Sequence, residues 1–226
     1  MNQSKVSNND IDYSNYVFVN SDFEKNYYIN ASIPLNKLVL YSITKEKQNA
    51  FLYKKNRKPI ILWSIPPDHL NNNNFNSFEE MINYHFDIFK SLNLEIIVSP
   101  HPRINKQYLN KFTTPENVRI SYNKIVDLIY ECDYFIASQS ATIRFALFCN
   151  KYILNFKIYL LPYSEYDNLP MIKNINNKDE FLSSLYLLKE DKLFNGNEYN
   201  NFPNNYFESD QQDINKCIMD IIKNKK

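Results

Sequence analysis

Two rhythms of hydrophobic residues alternate along the chain. Apolar runs of strand length recur at 60–65, 94–99, 117–121, 134–137 and 152–156. The first is bounded by Lys58-Pro59 in front and Pro66-Pro67 behind, and a run that does not alternate with polar residues marks a strand covered on both faces. Between the runs the apolar spacing changes to three and four. Phe78, Met81, Ile82, His85, Phe86 and Phe89 fall on one side of a helix over 78–92, with Asn76 or Ser77 as N-cap. Shorter helices are predicted over 105–112, 124–132 and 140–149, and two more over 178–189 and 211–224. Strands that alternate with helices through short connections build βαβ units, and so predict an α/β protein with a doubly wound parallel sheet.

The flanks are less regular. Residues 16–20 and 37–43 read as strands around a helical stretch at 21–30, and the charged, polar 44–58 reads as a linker. The Asn tract 71–74 is a loop insertion, and the Asn-rich, aromatic 191–208 an irregular surface loop.

Composition then removes several classes of function. The chain of 226 residues holds one glycine, Gly196, so a Walker A loop, a GxGxxG turn and a nucleophile elbow are all excluded as written. An anion site here must use helix N-termini or side chains. With 26 Lys+Arg against 25 Asp+Glu, the chain has no broad electrostatic footprint for nucleic acid or an anionic membrane. Cys132, Cys149 and Cys217 are widely spaced and odd in number, which fits buried thiols in a reducing compartment. His69, His85 and His101 show no metal-ligand spacing, so no zinc site is expected. The polar N-terminus lacks an apolar signal region and no run has the length of a membrane span, so the expected place is the cytoplasm.

In open α/β sheets ligands bind beyond the carboxyl ends of the strands. Three polar clusters fall there: Pro66-Pro67-Asp68-His69, Pro100-His101-Pro102-Arg103 and Ser138-Gln139-Ser140-Ala141-Thr142. They follow the first, second and fourth strands of the regular series, which are neighbours in the usual 3-2-1-4-5 order and would bring the clusters to one crevice. Ser138 and Ser140 open a helix whose free N–H groups and hydroxyls can hold a phosphate without glycine. His101, between two prolines, and Arg103 can donate to the same oxygens. Arg144, one turn into the helix, reaches the crevice or braces its wall. Each motif alone has a plain structural reading, a capped turn or an N-cap; together at the right strand ends they point to a site for a diphosphate or nucleotide. His69 reads as a polar loop residue and His85 as a core histidine. Glu131 and Asp133 read as local caps or pairs, and the Tyr-rich 159–166 stretch as packing.

The order of strand-HPR, strand-SxSATIRxA, Cys-x-Lys-strand and Tyr-rich loop resembles the C-terminal, donor-binding domain of GT-B glycosyltransferases of the bacterial surface-polysaccharide type. The non-hydrolysing UDP-GlcNAc 2-epimerases share that architecture. The resemblance implies a Rossmann-like domain over 59–226 that binds a nucleotide sugar. It implies that 1–58 is a remnant of the N-terminal domain and linker, since 16–43 resembles that domain's last strands. His101, Arg103, Ser138, Ser140 and Thr142 would hold the donor phosphates, with Arg144 and His69 in support. The nucleotide sugar is then the substrate and no cofactor or metal is implied. The acceptor site of such enzymes lies on the N-terminal domain, so a separate polypeptide or a homo-oligomer would complete the enzyme. This chain departs from the family at Cys149-Asn150-Lys151-Tyr152, where relatives tend to carry Gly-Lys-Pro, and at Lys157, where an acidic residue is expected. An epimerase-like sugar-nucleotide enzyme is the second reading; it calls for acid/base carboxylates that the motifs do not place. The third is a non-catalytic remnant or partner-binding subunit, which calls for an apolar docking face.

Overall fold

The structure is a computed structural model of the full chain, and it describes residues 17–19, 22–30, 32–35, 38–40, 58–67, 74–159, 166–167, 169–190 and 192–194. The chain divides into two units, one of residues 1–48 with 202–226 and the other of residues 49–201. All but the last residue of the predicted linker over 44–58, most of the Asn tract, and the predicted helix at 211–224 lie outside the described residues.

In the first unit, β1 (Val17–Val19) and β2 (Leu38–Leu40) pair in parallel, Val17 opposite Leu38. Parallel neighbours need a crossover, and α1 (Asp22–Asn30) supplies it. Leu38 and Ile33 are buried there.

The second unit is one all-parallel sheet. Its strands are β3 (Ile60–Ile65), β4 (Glu95–Pro100), β5 (Val118–Ile120), β6 (Tyr134–Ala137), β7 (Tyr152–Phe156) and β8 (Ile172–Ile175), laid side by side as β5-β4-β3-β6-β7-β8. Five of the six are the apolar runs of the sequence, and their order is the expected one, which sets β3 between β4 and β6. The sixth, β8, has no counterpart in the hydrophobic pattern. It reads Ile-Lys-Asn-Ile at the edge of the sheet, buried only at its two ends, so its apolar signal is too short to register.

The connecting helices are α2 (Phe78–Leu92), α3 (Lys106–Leu109), α4 (Ile125–Leu128), α5 (Ile143–Phe148) and α6 (Lys178–Lys189). Side chains alternate across a strand, so the sheet feeds two cores. Ile61, Trp63, Ile65, Ile96, Val98, Ile136, Leu154 and Phe156 form one cluster with Phe86, Phe89 and Leu92 of α2 and Phe181, Leu185 and Leu188 of α6. Leu62, Ile97, Phe135 and Ile153, the alternate positions, are fully buried on the opposite side, where α5 packs on β6 and β7. Burying each such side chain stabilises the fold by about 1.5–3 kcal/mol. Two polar pairs fix the strand starts. Asp133 Oδ2 accepts the Ile60 N–H at 2.8 Å, and Asn117 Nδ2 donates to the carbonyls of Phe89 and Leu94, each at 2.8 Å. Glu131 pairs with Arg119 on β5, twelve residues earlier, so neither it nor Asp133 pairs locally as expected, and His85 is a core residue, 2 % exposed.

Among the described residues no helix is long and apolar enough to cross a membrane.

Candidate functional site

Three strands that end side by side leave a crevice where the chain's connections run to opposite faces, and this is the switch point of the sheet. A cavity of about 660 Å³ opens there. Its described walls come from four places: Ser64 to Pro67 at the end of β3, Ser99 to Pro102 with Ile104 and Lys106 at and beyond the end of β4, Tyr122 to Ile125 after β5, and Ser138 to Thr142 after β6, with Tyr159 closing one side.

His101 is held by the turn it opens. Pro102 has the fixed φ that suits the second position of a β-turn, and the Ile104 N–H donates back to the His101 carbonyl at 2.9 Å. The Arg103 N–H donates to His101 Nδ1 at 3.2 Å. An accepting Nδ1 carries no proton, so the neutral ring has its N–H at Nε2 and is a hydrogen-bond donor. The guanidinium of Arg103 is on an exposed residue outside the cavity wall.

The segment after β6 bends sharply. Gln139 has φ 48°, in the left-handed region that non-glycine residues enter at a cost. In a chain with a single glycine, the cost is met by bonds: the Gln139 N–H donates to Asn155 Oδ1 at 2.9 Å, and Gln139 Oε1 accepts the Tyr159 N–H at 3.3 Å. Helical turns start at Ser140, whose carbonyl accepts the Ile143 N–H at 3.1 Å. Ser140 Oγ lies 2.8 Å from Thr142 Oγ1 and accepts the Thr142 N–H at 3.2 Å. Ser138 is buried at the strand end, 7 % exposed. The helix proper, α5, is only six residues long and Thr142 makes no side-chain cap bond, so the hydroxyls and N–H groups of the turn matter more than a helix dipole.

His101, Ser138, Ser140 and Thr142 thus meet on one cavity. Arg144 is half-buried on α5 and, like Arg103, stands outside the cavity wall; His69 lies outside the described residues. The sequence reading missed Lys106, Tyr122, Asn123 and Lys124. The last three follow β5, so the strand-end rule applied to the third strand would have found them. Lys106 approaches the Tyr122 ring, its Nζ 4.5 Å from the centroid, and Tyr122 is 45 % exposed. Among the described wall residues the formal charges are the two lysines; none is Asp or Glu. Tyr159 is a wall residue with its hydroxyl donating to the Pro67 carbonyl at 3.1 Å, a packed ring as expected. Lys157, a departure from the family pattern, is paired with Asp167. Among the described residues no group of three His, Cys, Asp or Glu could hold a metal ion.

No protein-family model matches the sequence, and no curated protein matches it. Solved structures do share the fold. UDP-GlcNAc 2-epimerase of Methanocaldococcus jannaschii, solved with UDP-GlcNAc and UDP, is 15% identical; the match covers 86% of this chain and 57% of that one, with a TM-score of 0.56. The glycotransferase of kitacinnamycin is 12% identical over 78% of this chain and 47% of its own, TM-score 0.52. A variant of the wall teichoic acid polymerase TagF is 13% identical over 93% of this chain and 58% of its own, TM-score 0.52. The chain spans about half the length of the solved structures it matches. At such identities the likeness is one of fold: the described residues of the 49–201 unit form a Rossmann-like, doubly wound α/β sheet, as in these solved structures.

Proposed function

We propose that the chain supplies the nucleotide-sugar-binding half of a GT-B glycosyltransferase for surface polysaccharide. The observation that carries this reading is the cavity at the switch point. It gathers a histidine donor, the hydroxyl side chains of Ser138, Ser140 and Thr142 and two lysines, with no carboxylate among its described walls. Such a wall suits a ligand with several negative charges, and a nucleoside diphosphate fits both that charge and a 660 Å³ space. When the sugar–phosphate bond breaks, its electron pair leaves with the diphosphate. His101 Nε2–H and the Ser138, Ser140 and Thr142 hydroxyls then face the growing negative charge, and donors fixed before the reaction stabilise it most. Fold relatives support the choice of ligand: the epimerase was solved with UDP-GlcNAc and UDP, and one TagF structure was soaked with CDPG. Acceptor activation falls to a separate N-terminal domain or a second copy of the chain.

An epimerase-like enzyme ranks second, because the described cavity wall holds no carboxylate pair for proton abstraction and return.

A thermal-shift series with CMP, CDP, UDP and GDP on the wild type and on His101→Ala tests the reading. A ligand at 100 times its Kd adds about 2.7 kcal/mol to stability. One nucleotide should raise Tm in the wild type, and the rise should vanish in His101→Ala and in the double variant Ser138→Ala/Ser140→Ala. No shift with any nucleotide, or equal shifts in all three proteins, overturns it.

A further inference from the structure

A polar chain crosses the interior from β6 to β8. Asn155 is 2 % exposed in β7, and in the sheet register it stands between Ala137 of β6 and Asn174 of β8. Its Nδ2 donates to Asn174 Oδ1 at 2.8 Å, and Asn174 Nδ2 donates to the Tyr166 carbonyl at 3.3 Å. At the other end Asn155 Oδ1 accepts the N–H of Gln139 at 2.9 Å. A buried primary amide is costly to desolvate and a branched aliphatic residue would suit this strand better. What the amide holds is the one residue in the cavity wall with a left-handed backbone, φ 48°, and such a conformation persists where its surroundings over-determine it.

We propose that Asn155 is a positioning residue for the cavity. Through the Gln139 N–H it holds the β6–α5 turn in the bend that sets Ser138, Ser140 and Thr142 on the wall, while Asn174 fixes which way the amide faces. What the cavity binds rests on the donor-binding reading above; the positioning itself does not.

Two readouts on the full chain separate these. Hydrogen exchange of the unliganded protein reports the turn, and titration with UDP and CDP reports the ligand. Asn155→Ala is expected to speed exchange at residues 139–142 and to weaken nucleotide binding, each roughly tenfold, the scale of one buried hydrogen bond. Exchange in β3 and β4 should stay as in the wild type. Asn155→Asp keeps the acceptor and should restore slow exchange in the turn. Adding Gln139→Gly to Asn155→Ala removes the left-handed penalty and should recover most of the lost affinity, which a general loosening of the sheet would not allow. If Asn155→Ala does not fold, Asn155→Ser, too short to reach the Gln139 N–H, is read in the same way. Unchanged exchange in the turn, or loosening spread evenly through the sheet that Gln139→Gly leaves uncorrected, overturns the proposal. If UDP and CDP do not bind the wild type, the donor-binding reading falls alone and exchange still decides the role of Asn155.

Discussion

His85 lies flat against Trp63, ring centroids 4.2 Å apart and planes 8° from parallel, with its Nδ1–H donating to the Met81 carbonyl at 2.7 Å. Phe75, Phe89, Phe156 and Phe181 close around it. Burial pushes its pKa down from 6.5 to about 4, and the Lys178 charge adds to the effect. The unfolded chain therefore takes up this proton at a higher pH than the native protein does. Stability is unaffected by His85 above pH 6.5 and falls as the pH drops from there to about 4, by about 3 kcal/mol in all. Urea denaturation across that window should show the loss in the wild type and not in His85→Phe. The carboxyl of Glu80, held low first by its bond from Lys178, acts separately: the stability it adds is lost only as the pH falls through the carboxylate range. A second residue prediction concerns Cys132, whose thiol burial raises to about 12. Thiolate is the reactive form, so alkylation of the native protein at pH 8 followed by peptide mapping should leave Cys132 unmodified.

Two helices use the same opening. Ser77 Oγ accepts the Glu80 N–H at 3.0 Å while Glu80 Oε2 accepts the Asn76 N–H at 2.8 Å. In α6 Asn177 Oδ1 accepts the Glu180 N–H and Glu180 Oε2 the Asn176 N–H, each at 2.9 Å. Each arrangement occupies donors that the first helical turn leaves open. Ser77→Ala and Asn177→Ala should each cost about 1 kcal/mol in equilibrium denaturation, with no change in ligand binding. The α2 cap, the α2 stripe and five of the six strands of the large sheet were legible in the sequence because their signals are local. Strand β8 was not, since an edge strand with Lys173 and Asn174 at its middle carries little apolar pattern. The short helices were over-read: 105–112 holds α3 at Lys106–Leu109, and 124–132 holds α4 at Ile125–Leu128. Their ends close in single turns, such as the Lys111 N–H bonding to the Tyr108 carbonyl, a choice that apolar spacing does not encode.

For the molecule as a whole, the charge on the cavity wall contrasts with a net charge of +1 for the chain. Lys106 and Lys124 bring local positive charge to a place where no described wall residue is acidic. Raising the ionic strength from about 0.01 M to 1 M shortens the screening length from about 30 Å to 3 Å. Nucleotide affinity should fall over that range, and Lys106→Ala/Lys124→Ala should flatten the dependence; an affinity indifferent to salt would remove the lysines from the site. Half of this cavity was readable in the chain, because the HPR and SxSAT clusters directly follow strong strands. Lys124 and Tyr122 enter from a loop after β5, a three-residue strand, Lys106 from the start of α3, and no motif marks them.

The sequence by itself determined the class of the fold and the phosphate-side candidates, since apolar runs, helical spacing and turn residues act over a few positions along the chain. It also determined that the site must work without glycine. How that is done was decided only in three dimensions. The left-handed bend at Gln139 depends on Asn155, sixteen residues further on, and that amide is oriented by Asn174 on the next strand. Arg103 and Arg144 sit near the crevice in sequence, yet the fold leaves both outside its wall. Sheet pairing brings distant residues within hydrogen-bond reach and sets which side of a turn each side chain leaves from, and linear spacing records neither.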